Sequence, residues 1–234
     1  MSDSNLVKKV NFLIVYAVVI TGVCCFLLFS ERSCNREKVD ELTVKRINVV
    51  DEEGHLRMVI SNENRQHPGM MDGEELPERK RPSGIIFFNS SGDECGGLVY
   101  DGNEQDAGMV LSIDKFKDDQ IMQLQYMEDT ERKFRKYGLQ IWDYPKEGTY
   151  TERNKRFNKL NDLETPEGRQ EAICKMKLDS LLMEERLFIG KNFSKEVGLF
   201  INDQQGNPRI KIYIDEGNTP KIEFLDEKGN VIEK

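Results

Sequence analysis

The chain of 234 residues reads as a mainly β protein: antiparallel hairpins forming a barrel-like or curled meander domain, with a small helical insert and one transmembrane helix in front. Three observations carry this reading. Residues 10–30 are apolar and uncharged; the rest is polar, with short alternating segments joined by turns of the type Asp-x-x-Gly; and apolar residues recur at helical spacing only in 151–185.

A tail, residues 1–9, comes first. Val10 to Ser30 then run without a charge, and about twenty such residues at a rise of about 1.5 Å match a hydrocarbon layer of about 30 Å. The run is expected to be an intact anchor, and the partner implied there is the membrane. Lys8 and Lys9 precede it while Arg32, Arg36 and Lys38 come after it, so charge sets orientation weakly. A very short leading tail favours a signal anchor that exports the polar domain behind it, which implies a single-pass protein of the cell membrane with an extracytoplasmic domain. Thr21-Gly22-Val23-Cys24 makes a poor lipid-attachment box, because the apolar run continues past the cysteine.

Residues 31–41 form a charged linker, and 42–234 form one domain large enough for a core. The whole chain has 42 acidic and 34 basic side chains; Asp3, Lys8 and Lys9 precede the anchor, so 41 and 32 lie beyond it, a net of −9. That balance argues against nucleic acid as a partner, since phosphate backbones are held by basic surfaces. Cys24 and Cys25 lie in the anchor, and Cys34, Cys95 and Cys174 are too far apart for a disulfide framework or a zinc site.

The first hairpin is Leu42 to Val50, a turn at Asp51-Glu52-Glu53-Gly54, and His55 to Ile60. Asp supplies a side-chain acceptor and Gly a position free to take positive φ. The unit returns at Gly198–Ile214 around Asp203-Gln204-Gln205-Gly206, and at Lys221–Ile232 around Asp226-Glu227-Lys228-Gly229. Degenerate copies begin at Gly84, Gly108 and Gly138, and the spacing of about 23 to 30 residues suits one hairpin per repeat. Residues 62–83 hold Pro, Gly and charge with little periodicity, so they read as a long surface loop. In the insert, residues 151–185, Phe157, Leu160 and Leu163 mark one helix. Thr165-Pro166 caps a second that carries Ile173 and Met176, and this pair is a candidate protein-binding face. Strand-rich sequence of about 150 residues is too little for a propeller of four or more blades.

Two segments hold the candidate catalytic residues. In Phe87 to Gly102, glycines 92, 96 and 97 allow close backbone approach while Asp93 and Glu94 offer carboxylates for acid–base work. In Ser112 to Gln120, Asp114 and Asp119 would share a cation if the loop folded back, but the spacing lacks the glycine and the final glutamate of a calcium loop. The plainer readings are a hairpin whose turn and bulge require glycine and a solvated hairpin tip, and no cofactor or metal is called for. His55 and His67 carry no motif and read as surface residues; no Gly-x-Ser-x-Gly elbow marks Ser61 or Ser83 as a nucleophile. Asn89-Ser90-Ser91 and Asn192-Phe193-Ser194 match the glycan acceptor rule, which matters only in a eukaryotic secretory pathway.

RINVVDEEGHLRMVISN, then HPGMMDGEELPERKRPSGIIFFNSSGDECGGLVYDG, then SIDKFKDDQIMQL resemble, in that order, an uncharacterised family of bacterial proteins over residues 41–145. The resemblance implies a bacterial envelope protein and brings no activity or catalytic residue with it. The function expected is a membrane-anchored binding or scaffolding module of the envelope. The alternatives are an envelope hydrolase using Asp93, Glu94, Asp114 and Asp119, which requires those loops to converge on a pocket, or a structural subunit of a membrane complex.

Overall fold

A computed structural model describes residues 3–30, 39–145, 149–163, 165–179 and 181–232. Contacts divide the chain into two units, between Thr43 and Val44. The first holds α1 (Asp3–Ser30), whose stretch Asn5–Leu27 is long and apolar enough to cross a bilayer. A helix of this kind at an N-terminus also serves as a signal sequence.

The second unit is an open antiparallel meander. Its main sheet contains β1 (Arg46–Val50), β2 (Leu56–Ser61), β5 (Gly84–Phe88), β6 (Glu94–Gly102), β7 (Asp106–Asp114), β8 (Gln120–Asp129), β9 (Phe134–Asp143), β10 (Glu184–Lys191), β11 (Val197–Asn202), β12 (Pro208–Ile214) and β13 (Pro220–Phe224). These eleven strands lie side by side in chain order with β1 and β13 outermost, and past β13 the chain turns back so that Leu225 bridges Val231 and Ile232 N donates to Phe224 O at 2.7 Å. The barrel-like form is therefore not closed, and the meander is the form adopted. The helical pair, α2 (Tyr150–Asn161) and α3 (Pro166–Leu178), interrupts the chain between the paired strands β9 and β10. Thr165 accepts from Gly168 N at 3.2 Å with Pro166 at the first position, as its sequence implies. A second cap, unread in the sequence, is the Thr149/Glu152 box at the start of α2, where each side chain takes the other's backbone N–H.

The Asp-x-x-Gly turns form for the stated reason. Asp51, Asp203 and Asp226 each accept two backbone N–H groups, from residues two and four further on, while Gly54, Gly206 and Gly229 hold φ of +87°, +75° and +83°. Beyond the turns of β1–β2 and β11–β12, the second strand carries one extra residue, Arg57 or Arg209. Each returns to its turn aspartate, at 3.9 and 3.6 Å, and donates to a backbone carbonyl further along, Arg57 to Asn89 O in the β5–β6 turn and Arg209 to Leu225 O just past β13. Gly138 and Gly190 face each other across β9 and β10 so closely that a Cβ on either would lie 2.1 Å from the opposite strand's carbonyl oxygen. Only glycine fits there.

Register assigns every strand residue to one of two faces. One runs Val59–Ile86 and continues through Gly97, Ser112, Gln123 and Gln140 to Phe188 and Phe200. This core face holds the buried residues Val59, Ile86, Phe188 and Tyr213, although its centre is polar. Gln140 is fully buried, donating to Leu187 O and accepting from Lys136 at 3.3 Å each. Residues 62–83 depart from a surface loop: they form the small hairpin β3 (Met70–Met71) and β4 (Glu74–Glu75) and bury Met71 and His67. His67 stands edge-on to Phe88 at 4.8 Å, so it is not the surface histidine its surroundings in sequence suggest.

Candidate functional site

Two regions of the domain have features that the fold alone does not account for. The first is a cavity of about 110 Å³ at the turn end of β5–β8, lined among others by Glu94, Asp114, Asp118, Asp119, Arg79 and Tyr150. Bulges put two of the acids there. The register shift after Phe87 pairs Glu94 with Phe88, and the one after Ile113 pairs Asp114 with Gln120. Three of the four acids picked out in the sequence thus converge, and the fourth does not line the cavity. Asp93 is buried beside it, accepting from Asp72 N at 2.6 Å with its other oxygen unpartnered.

Most of the converging acids are already engaged. Arg81 grips Glu94 with two parallel bonds of 2.8 and 2.7 Å and also reaches the carbonyls of His67 and Pro68 at 3.3 Å. Asp118 is only 1% exposed, held by Arg153 from α2 and by Lys115 at 2.9 Å. The β7–β8 tip is therefore packed, not solvated as its sequence suggests: the Arg153 guanidinium also lies 4.4 Å from the Tyr144 ring, and Tyr150 N donates to Lys117 O. Asp114 is different. One of its oxygens is buried with no partner, and burial, reinforced by the charges of Glu94 and Asp119, pushes its pKa up to about 7. Burial also raises Asp119, against the bond its carboxylate accepts from Gln120 N, and lowers His67. Chemically, the cavity offers one carboxyl near half protonation at neutral pH. Among the described residues no group of three or more His, Cys, Asp or Glu side chains is placed to hold a metal ion.

The second region is the other face of the main sheet. One register row crosses all eleven strands: Ile47–Ile60–Ile85–Leu98–Leu111–Leu124 over the first six, then Leu139–Ile189–Leu199–Ile212–Ile222 over the rest. A parallel row two residues along runs from Val49 and Met58 to Ile210 and Phe224, apolar throughout, with Gly96 as its single position lacking a side chain. None of these 21 side chains is buried, and Leu124 on the central strand is 47% exposed. At the β13 end a hollow of about 410 Å³ is lined by Val197, Ile212, Ile214 and Ile222 of this face together with Tyr213, Pro220 and Lys221.

Sequence reading found Glu94, Asp114 and Asp119 but missed Arg79, Arg81, Asp118 and Arg153. The basic run Arg79-Lys80-Arg81 before a strand and the Thr149-x-x-Glu152 cap were the available signals. It also missed the two rows, because alternation assigns residues to faces within a strand, whereas a row requires register between strands. No protein-family model, curated protein or solved structure matches the chain.

Proposed function

We propose that the chain is a membrane-anchored recognition or scaffolding module of a bacterial cell envelope, held by residues 10–30, with hairpin repeats presenting the apolar face of the sheet to a partner outside the bilayer. The observation that carries this reading is the pair of apolar rows. A soluble monomer rarely exposes a contiguous apolar patch beyond a few hundred Å², and larger ones mark interaction sites. The resemblance over residues 41–145 supports the bacterial envelope.

The hydrolase reading has less support. Arg81 neutralises Glu94, and Lys115 and Arg153 neutralise Asp118, which leaves Asp114 with Asp119 as carboxylates in a space of about 110 Å³. That is room for a few water molecules, at about 30 Å³ each.

Labelling of single cysteines with a membrane-impermeant maleimide in intact spheroplasts tests the proposal. With the native cysteines replaced by serine, Glu131→Cys at an exposed hairpin tip is expected to react from outside, and Leu111→Cys on the apolar face is expected to be protected. Equal, rapid labelling at both positions would remove the recognition reading. A Glu131→Cys chain that reacts only after lysis would place the domain on the cytoplasmic side.

A further inference from the structure

Resting on that reading, we infer that the apolar face is covered by a second copy of this chain, packed sheet on sheet about a two-fold axis that runs between the two sheets along β8. A sheet with one apolar face is stable when that face meets another layer, and two twisted sheets pack about 10 Å apart with their side chains interdigitated. No side chain of this strip is buried among the described residues.

Size fits the occupant. Eleven strands about 4.8 Å apart, and two rows each about 7 Å wide, make a strip of about 50 Å by 14 Å, or about 700 Å² on each copy. Two such strips bury about 1,400 Å², within the range of stable protein interfaces, about 1,200–2,000 Å².

Charge selects the same occupant. A two-fold interface is self-complementary, so any charge on it near the axis faces its own like. None of the 21 side chains is charged, in a chain that is otherwise one-third charged and carries a net charge of −8. The acidic balance also disfavours anionic lipid headgroups as neighbours of the strip. Addition of strands at the edges is opposed: β1 and β13 are five residues each, with Arg46 on one and Pro220, Lys221 and Glu223 on the other. Anchors in one bilayer confine the copies and raise their effective concentration.

The geometry is specific about one residue. β8 is the sixth of eleven strands, so full overlap of the two strips brings Leu124 against its own counterpart. A photo-crosslinking residue at Leu124 of the full chain, in native membranes, is expected to yield an adduct of twice the 27.1 kDa chain, with none from Glu131. Leu124→Lys and Leu124→Glu are each expected to lose the dimer, read by crosslinking at Leu111, and co-expression of the two to restore it. Because Leu124 is half exposed, both variants are expected to keep the protease resistance of the folded domain. An adduct with lipid or with another protein, or a dimer that survives either single charge, would overturn self-pairing while leaving the recognition reading in place. Free maleimide labelling of Leu111→Cys would overturn both.

Discussion

The same eleven strands make both faces of the main sheet, yet the faces are treated oppositely. On the core face Val59 and Ile86 are 0% and 1% exposed, and the buried set extends to Gln140 and Gln125, which are polar. The open face is apolar at every side chain of its two central rows, and none of them is buried. Hydrophobic burial within one chain runs the other way, with the more apolar surface covered first. The difference teaches that cover on the core side is specified by particular contacts. Arg81 reaches Glu94 and the carbonyls of His67 and Pro68, and His67 meets Phe88. Apolarity alone does not decide which side is covered.

The comparison can be broken by substitution, and the largest effect is expected in the core. Ile86→Ala should cost about 3–4 kcal/mol in urea unfolding of the full chain in detergent, whereas Leu124→Ala under conditions that keep copies apart should cost less than about 1 kcal/mol. Similar costs at the two sites would mean that the open face is packed within one copy. Next is Arg81→Ala, which strands the buried Glu94 carboxylate and should cost about 3 kcal/mol by the same measurement.

Asp114→Asn sharpens the electrostatic side. With its pKa raised from 3.8 to about 7, folded Asp114 keeps a proton that the unfolded chain releases, so its presence lowers stability as pH rises through that window. The variant should match the parent near pH 4 and exceed it increasingly up to pH 8, because the penalty is removed. A constant difference across pH would show that Asp114 does not titrate there. The smallest effect concerns the first turn of α2, which sets Arg153 on Asp118: Thr149→Ala should cost about 1 kcal/mol and lower helicity in circular dichroism.

Much of this fold was legible in the chain. Alternation around Asp51, Asp203 and Asp226 marked hairpins because an aspartate that accepts two N–H groups and a glycine at positive φ are local requirements. The helical pair was legible from Phe157, Leu160 and the Thr165-Pro166 cap for the same reason. Burial of residues 62–83 was not, since it depends on Arg81 reaching Glu94 and His67 meeting Phe88, contacts set by tertiary structure in a segment with little apolar content. Three of the four carboxylates singled out in the sequence, Glu94, Asp114 and Asp119, line one cavity. The bulges that bring Glu94 beside Asp114 depend on pairing between strands, which no single strand's pattern contains.

Strand order in chain order has a consequence for how this domain is assembled. Each strand bonds only to strands adjacent to it in sequence, apart from the detours at 62–83 and 144–183, so ordering advances by closing short loops one after another. No distant segment has to be threaded between strands already in place.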